Sequence, residues 1–175
     1  AACATPPADC SAYGVAFQDE ALVLASEIDP AFNANPIGFD MHGYAPKYWL
    51  INGKVYPDTD PTATPFLAVT AADAVLLRFI NAGLENHSLG LLGLRQTILA
   101  TDGKPLGYPI KVVAETVPAG ATLDTTTTIP AAAPAGARYA VYNAALHLDN
   151  SGARDSASNT ATVRNASMPP KRTVA

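Results

Sequence analysis

Short apolar runs alternate along the chain with Gly, Pro, Asn and Asp, the residues that most often form turns. In the run 74–80, Val75, Leu77 and Phe79 fall on one face of a strand, and residues 76, 78 and 80 fall on the other. This period of two, with β-branched and aromatic residues enriched in several runs, predicts β-strands. The predicted strands are residues 20–29, 47–53, 64–73, 74–83, 95–103, 110–120, 122–130, 137–146 and 160–165.

Many short strands with frequent turns are typical of two packed antiparallel sheets. We therefore predict an all-β fold, a two-sheet β-sandwich, with a helical turn possible only in the segment 33–43. The strands predict a single domain over residues 21–166, with residues 167–175 as a C-terminal tail or linker.

Composition narrows the class of protein. Hydrophobic residues make up 49% of the 175 residues and charged residues 15%, which excludes a disordered chain. The net charge of −4, with no basic cluster apart from Lys171 and Arg172, argues against a nucleic-acid partner. No apolar run approaches the roughly 18 residues of a membrane-spanning helix, so no membrane span is predicted.

The two cysteines, Cys3 and Cys10, lie close to the N-terminus. Their spacing is not the CxxC of a zinc or thioredoxin site, and no histidine lies near them. The favoured interpretation is a disulfide that closes a loop within residues 1–20; the alternative is two free thiols on a loose terminus. A disulfide would indicate an oxidising compartment, and therefore an extracytoplasmic (periplasmic or secreted) location.

Five segments follow one another in an informative order. They are WLINGKVYPDT (49–59), VTAADAVLLRFINAG (69–83), LATDGKPL (99–106), VVAETVPAGATLDTTTTIP (112–130) and RYAVYNAALH (138–147). Together they resemble a cupredoxin domain of the multicopper oxidase family, of the laccase-like kind. Ala72 departs from the family pattern, which has glycine there. The resemblance implies a Greek-key β-sandwich.

The resemblance also shows where copper ligands would stand. Family members carry a histidine and then a His-any-His pair after the NAG turn, and this chain has His87 followed by Gly90 and Leu92. Where the family has His-Cys-His, this chain has Asn143-Ala144-Ala145. The resemblance therefore implies a copper-ligand-free domain, with no catalytic, cofactor-binding or metal-binding residue. Copper is expected in neighbouring domains of the parent protein.

Three histidines remain, His42, His87 and His147, and two interpretations stay open. They could form a residual metal site, with Asp40 or Asp149, or they could be separate residues that bond to backbone groups. Their wide separation in sequence favours the second interpretation.

Other residues are expected to be structural. Turns are expected at Gly53, Asn81, Gly83 and Gly103. Leu92 is expected to be buried, because the space of a lost metal should be closed by apolar packing. The predicted core also contains Trp49, Val75, Leu77, Phe79, Leu89, Leu91, Ile98 and Val141.

The resemblance implies a copper-free cupredoxin-like domain with a structural and substrate-entrance role. Its parent would be an oxidase that couples substrate oxidation to dioxygen reduction, and its partners would be other cupredoxin domains of the same parent chain. The alternative is a free-standing extracytoplasmic β-sandwich that serves as a binding or adhesion module, since fold alone does not decide function.

Overall fold

A computed structural model describes residues 10–55 and 66–145, together with the backbone of strand 160–165. The strands are β1 Ser11–Ala12, β2 Val15–Ala16, β3 Asp19–Ile28, β4 Tyr48–Ile51, β5 Leu67–Val69, β6 Ala74–Asn81, β7 His87–Leu91, β8 Gln96–Thr101, β9 Lys104–Val112, β10 Ala114–Val117, β11 Thr122–Thr128, β12 Arg138–Asn143 and β13 Thr160–Asn165. Helical structure in the described residues is limited to α1 Pro30–Ala34 and a 3₁₀ turn, Met41–Gly43.

Two sheets form a β-sandwich, which confirms the predicted fold class. The six-stranded sheet has the order β4-β3-β6-β11-β8-β9, and the five-stranded sheet has the order β10-β7-β12-β13-β5. Most neighbouring strands are antiparallel, as predicted, but β3 pairs with β6 and β13 pairs with β5 in parallel. The 3₁₀ turn lies within the segment where a helical turn was expected.

The main core lies between the two sheets. Val75, Leu77 and Phe79 on β6 are almost completely buried there, as the period of two predicted. Leu76 faces the other side of the sheet and is also buried, because it packs in a second cluster with Cys10, Phe17 and Leu99. The β1–β2 hairpin lies over that side, with Ala12 and Val15 packed against the cluster, so β6 is covered on both faces.

The prediction that Leu92 is buried is wrong. Its side chain is 63% exposed, whereas the other predicted core residues are buried. The strand ends at Leu91, and the chain turns at Gly93, which has a φ of 85°. Since alternation of faces holds only within a strand, position 92 no longer shares the face of Gly90. Leu94, beyond the turn, packs against the core instead.

The predicted strand 110–120 is two strands in the structure. Residues up to Val112 belong to β9, the edge of the six-stranded sheet, and residues from Ala114 belong to β10, the edge of the other sheet. The chain thus crosses between the sheets at Val113. Pro105 and Pro109 lie within β9, where an edge strand can tolerate the missing amide hydrogens.

Candidate functional site

His87 is the first residue of β7, and its side chain is completely buried. Its Nε2 lies 3.0 Å from Oε2 of Glu27, near the end of β3. Its Nδ1 lies 2.8 Å from Nδ2 of Asn143, the last residue of β12. Both ring nitrogens are therefore engaged, and the three residues are called here the Glu-His-Asn cluster.

The orientation of Asn143 determines the tautomer of His87. The Asn143 Oδ1 accepts hydrogen bonds from the amides of Ser88 at 3.1 Å and Ala145 at 3.0 Å. The Nδ2 group is therefore the one that faces His87, and it can only donate. His87 Nδ1 accepts that bond, so Nε2 carries the hydrogen and donates it to the Glu27 carboxylate.

Glu27 is the charged member of the cluster, and its side chain is also completely buried. Its Oε1 accepts from the amide of Leu84, from the amide of Glu85 at 2.9 Å and from the Tyr44 hydroxyl at 3.1 Å. Burial by itself would raise the pKa of Glu27, but the bonds from His87, these amides and Tyr44 favour the ionised form and lower the pKa to about 2. Burial and the nearby Glu27 carboxylate raise the pKa of Tyr44.

The turn after β6 shapes the pocket around the Glu27 carboxylate. Asn81 Oδ1 accepts from the amide of Gly83 at 2.9 Å, and its Nδ2 donates to the carbonyls of Glu85 at 2.7 Å and Val117 at 2.9 Å. A Cβ at Gly83 would collide with the Glu27 carboxylate. The predicted turn role of Asn81 and Gly83 is thus confirmed, and it serves the cluster.

The residues at the family's ligand positions do not fit copper. Gly90 is packed so closely that a Cβ there would lie 2.6 Å from the Val113 carbonyl oxygen and 2.8 Å from the Ala114 Cβ. Leu92 lies in an exposed turn, and Asn143 uses its amide to hold His87. In the described part of the chain, no three His, Cys, Asp or Glu side chains converge as a metal site would require.

Among the described site candidates, His42 contacts Asp40 and has an environment unlike that of His87. His42 lies in the 3₁₀ turn with its side chain 97% exposed, and its Nδ1 is 2.9 Å from Asp40 Oδ1. That environment is the opposite of the buried one around His87, while His147 and Asp149 lie outside the described residues. Cys10 is buried, but Cys3 lies outside the described residues, so the disulfide stays a prediction.

Sequence analysis missed the two partners of His87, and one of them had a visible signal. Ala21, Val23 and Ala25 alternate on the buried face of β3, so Glu27 occupies the next inward position. A carboxylate at an inward position needs hydrogen-bond donors to be stable. No comparable signal in sequence identifies Asn143 as the second partner.

The strand order and the two-sheet core define a cupredoxin-like β-sandwich. The family model for multicopper oxidases matches residues 29–167, and the chain belongs to the multicopper oxidase family. Both results confirm what the motifs predicted.

Several solved structures have a similar fold. A blue copper oxidase from Nitrosomonas europaea matches with a TM-score of 0.69 and 22% identity, over 83% of this chain and 43% of that chain. The multicopper oxidase mgLAC matches with a TM-score of 0.67 and 21% identity, over 86% of this chain and 44% of that chain. A laccase from Botrytis aclada matches with a TM-score of 0.62 and 16% identity, over 89% of this chain and 30% of that chain. At these identities the likeness establishes the fold alone. The chain spans less than half the length of each. Among curated proteins, a sequence search finds no match.

Proposed function

We propose that this chain is a copper-free structural domain of a larger multicopper oxidase. The observation that carries the proposal is the Glu-His-Asn cluster. The histidine at the family's first ligand position is held at both nitrogens by protein groups, at 3.0 Å and 2.8 Å, so neither nitrogen is left for a metal.

The cluster has a structural use, because it joins the two sheets. Glu27 belongs to β3 of the six-stranded sheet, while His87 and Asn143 belong to β7 and β12 of the five-stranded sheet. Hydrogen bonds that involve an ionised group in a buried site are stronger than neutral ones. The imidazole therefore serves as a polar link across the sandwich.

The rest of the proposal concerns the parent protein. The chain covers 43% or less of two of the solved structures above, which leaves room for further domains. In this proposal those domains carry the copper and oxidise a substrate while dioxygen is reduced, and this domain spaces them and shapes the substrate entrance. An extracytoplasmic location belongs to the same proposal. The described residues contain no helix long and apolar enough to cross a membrane.

The free-standing binding or adhesion module is not favoured. The family model matches residues 29–167, which include the NAG turn and the strands around the Glu-His-Asn cluster. Nothing in the described site points to adhesion.

The test is metal analysis of the 175-residue chain and of His87→Gln after incubation with copper and removal of unbound metal. We expect no stoichiometric copper and no blue-copper absorption band in either protein, and a lower free energy of unfolding for the variant. Stoichiometric copper in the wild-type chain that is absent from His87→Gln would contradict the proposal. In the full-length protein, His87→Gln should leave the copper content unchanged.

A further inference from the structure

A second polar feature lies on the opposite side of the six-stranded sheet from the Glu-His-Asn cluster. It is a surface cleft of about 310 Å³, here called the threonine cleft, at the lower end of the roughly 300–1,000 Å³ of small-molecule sites. The side chains used in the argument are Arg95, Thr97, Lys111, Thr126 and Thr128.

Strand register explains why these residues meet. Thr126 on β11 is paired with Thr97 on β8, and Thr97 is paired with Lys111 on β9, so the three form a row across neighbouring strands. Thr128 lies two residues after Thr126 on β11 and points to the same side, and Arg95, which directly precedes β8, also lines the cleft. Two cations and three hydroxyl groups therefore line the cleft, and one of the hydroxyls, that of Thr126, already donates to the Val75 carbonyl at 3.2 Å.

The two cations of the cleft have no anionic partner in the described part of the chain. No described carboxylate lies within ion-pair distance of Arg95 or Lys111. Two acidic side chains, Glu20 and Asp124, both bond to another cation, Arg78. The protein as a whole carries a charge of −4, so two neighbouring unpaired cations stand out as a local positive patch.

The floor of the cleft is held rigidly from the core side. Thr127 Oγ1 donates to the Arg95 carbonyl at 2.9 Å. Gln96, which is fully buried, accepts from Thr125 Oγ1 at 3.1 Å and donates to the Leu89 carbonyl at 2.9 Å. These bonds fix the backbone from which the Arg95 and Thr97 side chains project, which reduces the entropy lost when a ligand binds.

We propose that the threonine cleft binds a tetrahedral oxyanion, phosphate or sulfate, either free or as an ester on a small molecule. The guanidinium of Arg95, the ammonium of Lys111 and the hydroxyl groups of Thr97 and Thr128 are donors that suit an anion with several equivalent oxygens. The argument for the cleft uses none of the contacts of the Glu-His-Asn cluster, so the proposal is independent of the proposed function.

The test is a series of NMR titrations of the 175-residue chain, followed through the backbone amides at constant ionic strength. The probes are inorganic phosphate, inorganic sulfate and methyl phosphate, with chloride as the reference anion. We expect saturable shifts at Thr97, Thr126 and Thr128 with the oxyanions and not with chloride. Binding of methyl phosphate as tightly as free phosphate would indicate an esterified ligand, and rejection of the ester would indicate the free ion.

Variants distinguish a specific anion-binding site from nonspecific attraction by surface charge. Arg95→Gln and Lys111→Gln should each weaken binding about tenfold or more, since each removes one charge-assisted hydrogen bond. Lys104→Gln is the matched control, because Lys104 is exposed at the other end of β9. Lysines on an edge strand also prevent edge-to-edge association. If that is the only role of Lys111, the shifts will be linear with concentration, or Lys104→Gln will weaken binding as much as Lys111→Gln, and either result overturns the proposal.

Discussion

Glu27 is a single residue on which a buried hydrogen-bond network depends. Its carboxylate accepts from two backbone amides, a tyrosine hydroxyl and the His87 ring, although its side chain is completely buried. A buried charge of this kind is tolerated only when donors surround it. The network can therefore be tested by removing the charge while the shape is kept.

Glu27→Gln should lower the free energy of unfolding by about 2 kcal/mol. The new amide can accept from the Leu84 and Glu85 amides with its oxygen, but its NH₂ group then faces the Nε2 hydrogen of His87. Two donors are thereby left opposed in a buried site. Chemical denaturation measures the loss. Glu115→Gln is the control, since the Glu115 carboxylate accepts a solvent-exposed bond from the adjacent Thr116 amide, which a glutamine oxygen can also accept, and its change should stay within about 0.5 kcal/mol.

The low pKa of Glu27 predicts a pH dependence of stability. The pKa is about 2 in the folded protein against 4.5 for an ordinary Glu. At pH values between these two, the unfolded state therefore binds more protons than the folded state. The contribution is fully present above about pH 4.5 and is lost as the pH falls towards 2, with a total of roughly 3 kcal/mol. Denaturation at several pH values should show wild type and Glu27→Gln converging below pH 4.5. A constant difference across that range would contradict this assignment.

At the scale of elements, the turn before β6 contains a strained residue. Ala72 has a φ of 72°, a left-handed conformation that favours glycine, and the family has glycine at this position. The turn is held by the bond from the Ala72 amide to the Ile129 carbonyl at 3.1 Å.

Ala72→Gly should therefore stabilise the protein by up to about 1 kcal/mol, because relief of the left-handed strain exceeds the entropy cost of glycine. Thermal or chemical denaturation provides the measurement. Ala71→Gly is the matched control, since Ala71 does not have a positive φ. This substitution should lower the free energy of unfolding. Equal changes at the two positions would show that the turn is not strained.

The middle of β7 is too closely packed to carry a ligand side chain. Gly90 lies opposite Ala114 on β10 and Tyr142 on β12, and a Cβ would lie 2.6 Å from the Val113 carbonyl oxygen. Gly90→Ala should destabilise the fold by about 1–3 kcal/mol, as overpacking does. Gly107→Ala on β9 meets nothing within 4 Å and should change stability little. If Gly90→Ala and Gly107→Ala change the free energy of unfolding equally, the packing around Gly90 is looser than the structure indicates.

At the scale of the whole molecule, an N-terminal hairpin covers part of the outer face of the larger sheet. Cys10, Phe17, Leu76 and Leu99 are buried together beneath it. The Tyr13 hydroxyl bonds to Asp124 on β11 and ties the hairpin turn to the sheet. A covalent bond at Cys10 would therefore restrain a segment that already belongs to the packed structure.

The predicted Cys3–Cys10 disulfide should stabilise the chain by roughly 2–3 kcal/mol through the entropy of loop closure. Cys3→Ser should lower the unfolding midpoint in oxidising buffer and should have no effect on a chain that has been fully reduced. Thiol titration of the denatured wild-type chain without reductant checks the pairing directly. Two reactive thiols per chain would contradict it.

Much of the fold followed from local pattern. The period of two predicted the strands, since side-chain alternation is a property of each strand alone, and the five motifs predicted the family. Leu92 shows where such reasoning fails. The alternation was extended one residue too far, because the end of β7 depends on a turn at Gly93 and on a hydrogen bond from the Leu92 amide to the Ala140 carbonyl.

The sequence alone predicted most of the strands and the family, since both depend on residue type and order along the chain. Only the tertiary structure decided which residues surround His87. Glu27 and Asn143 lie 60 and 56 residues from His87 in sequence, and they meet it only when the two sheets pack together. The same holds for the threonine cleft, whose cations belong to different strands. Contacts across a sandwich are set by register and sheet packing, and neither is encoded in a local pattern.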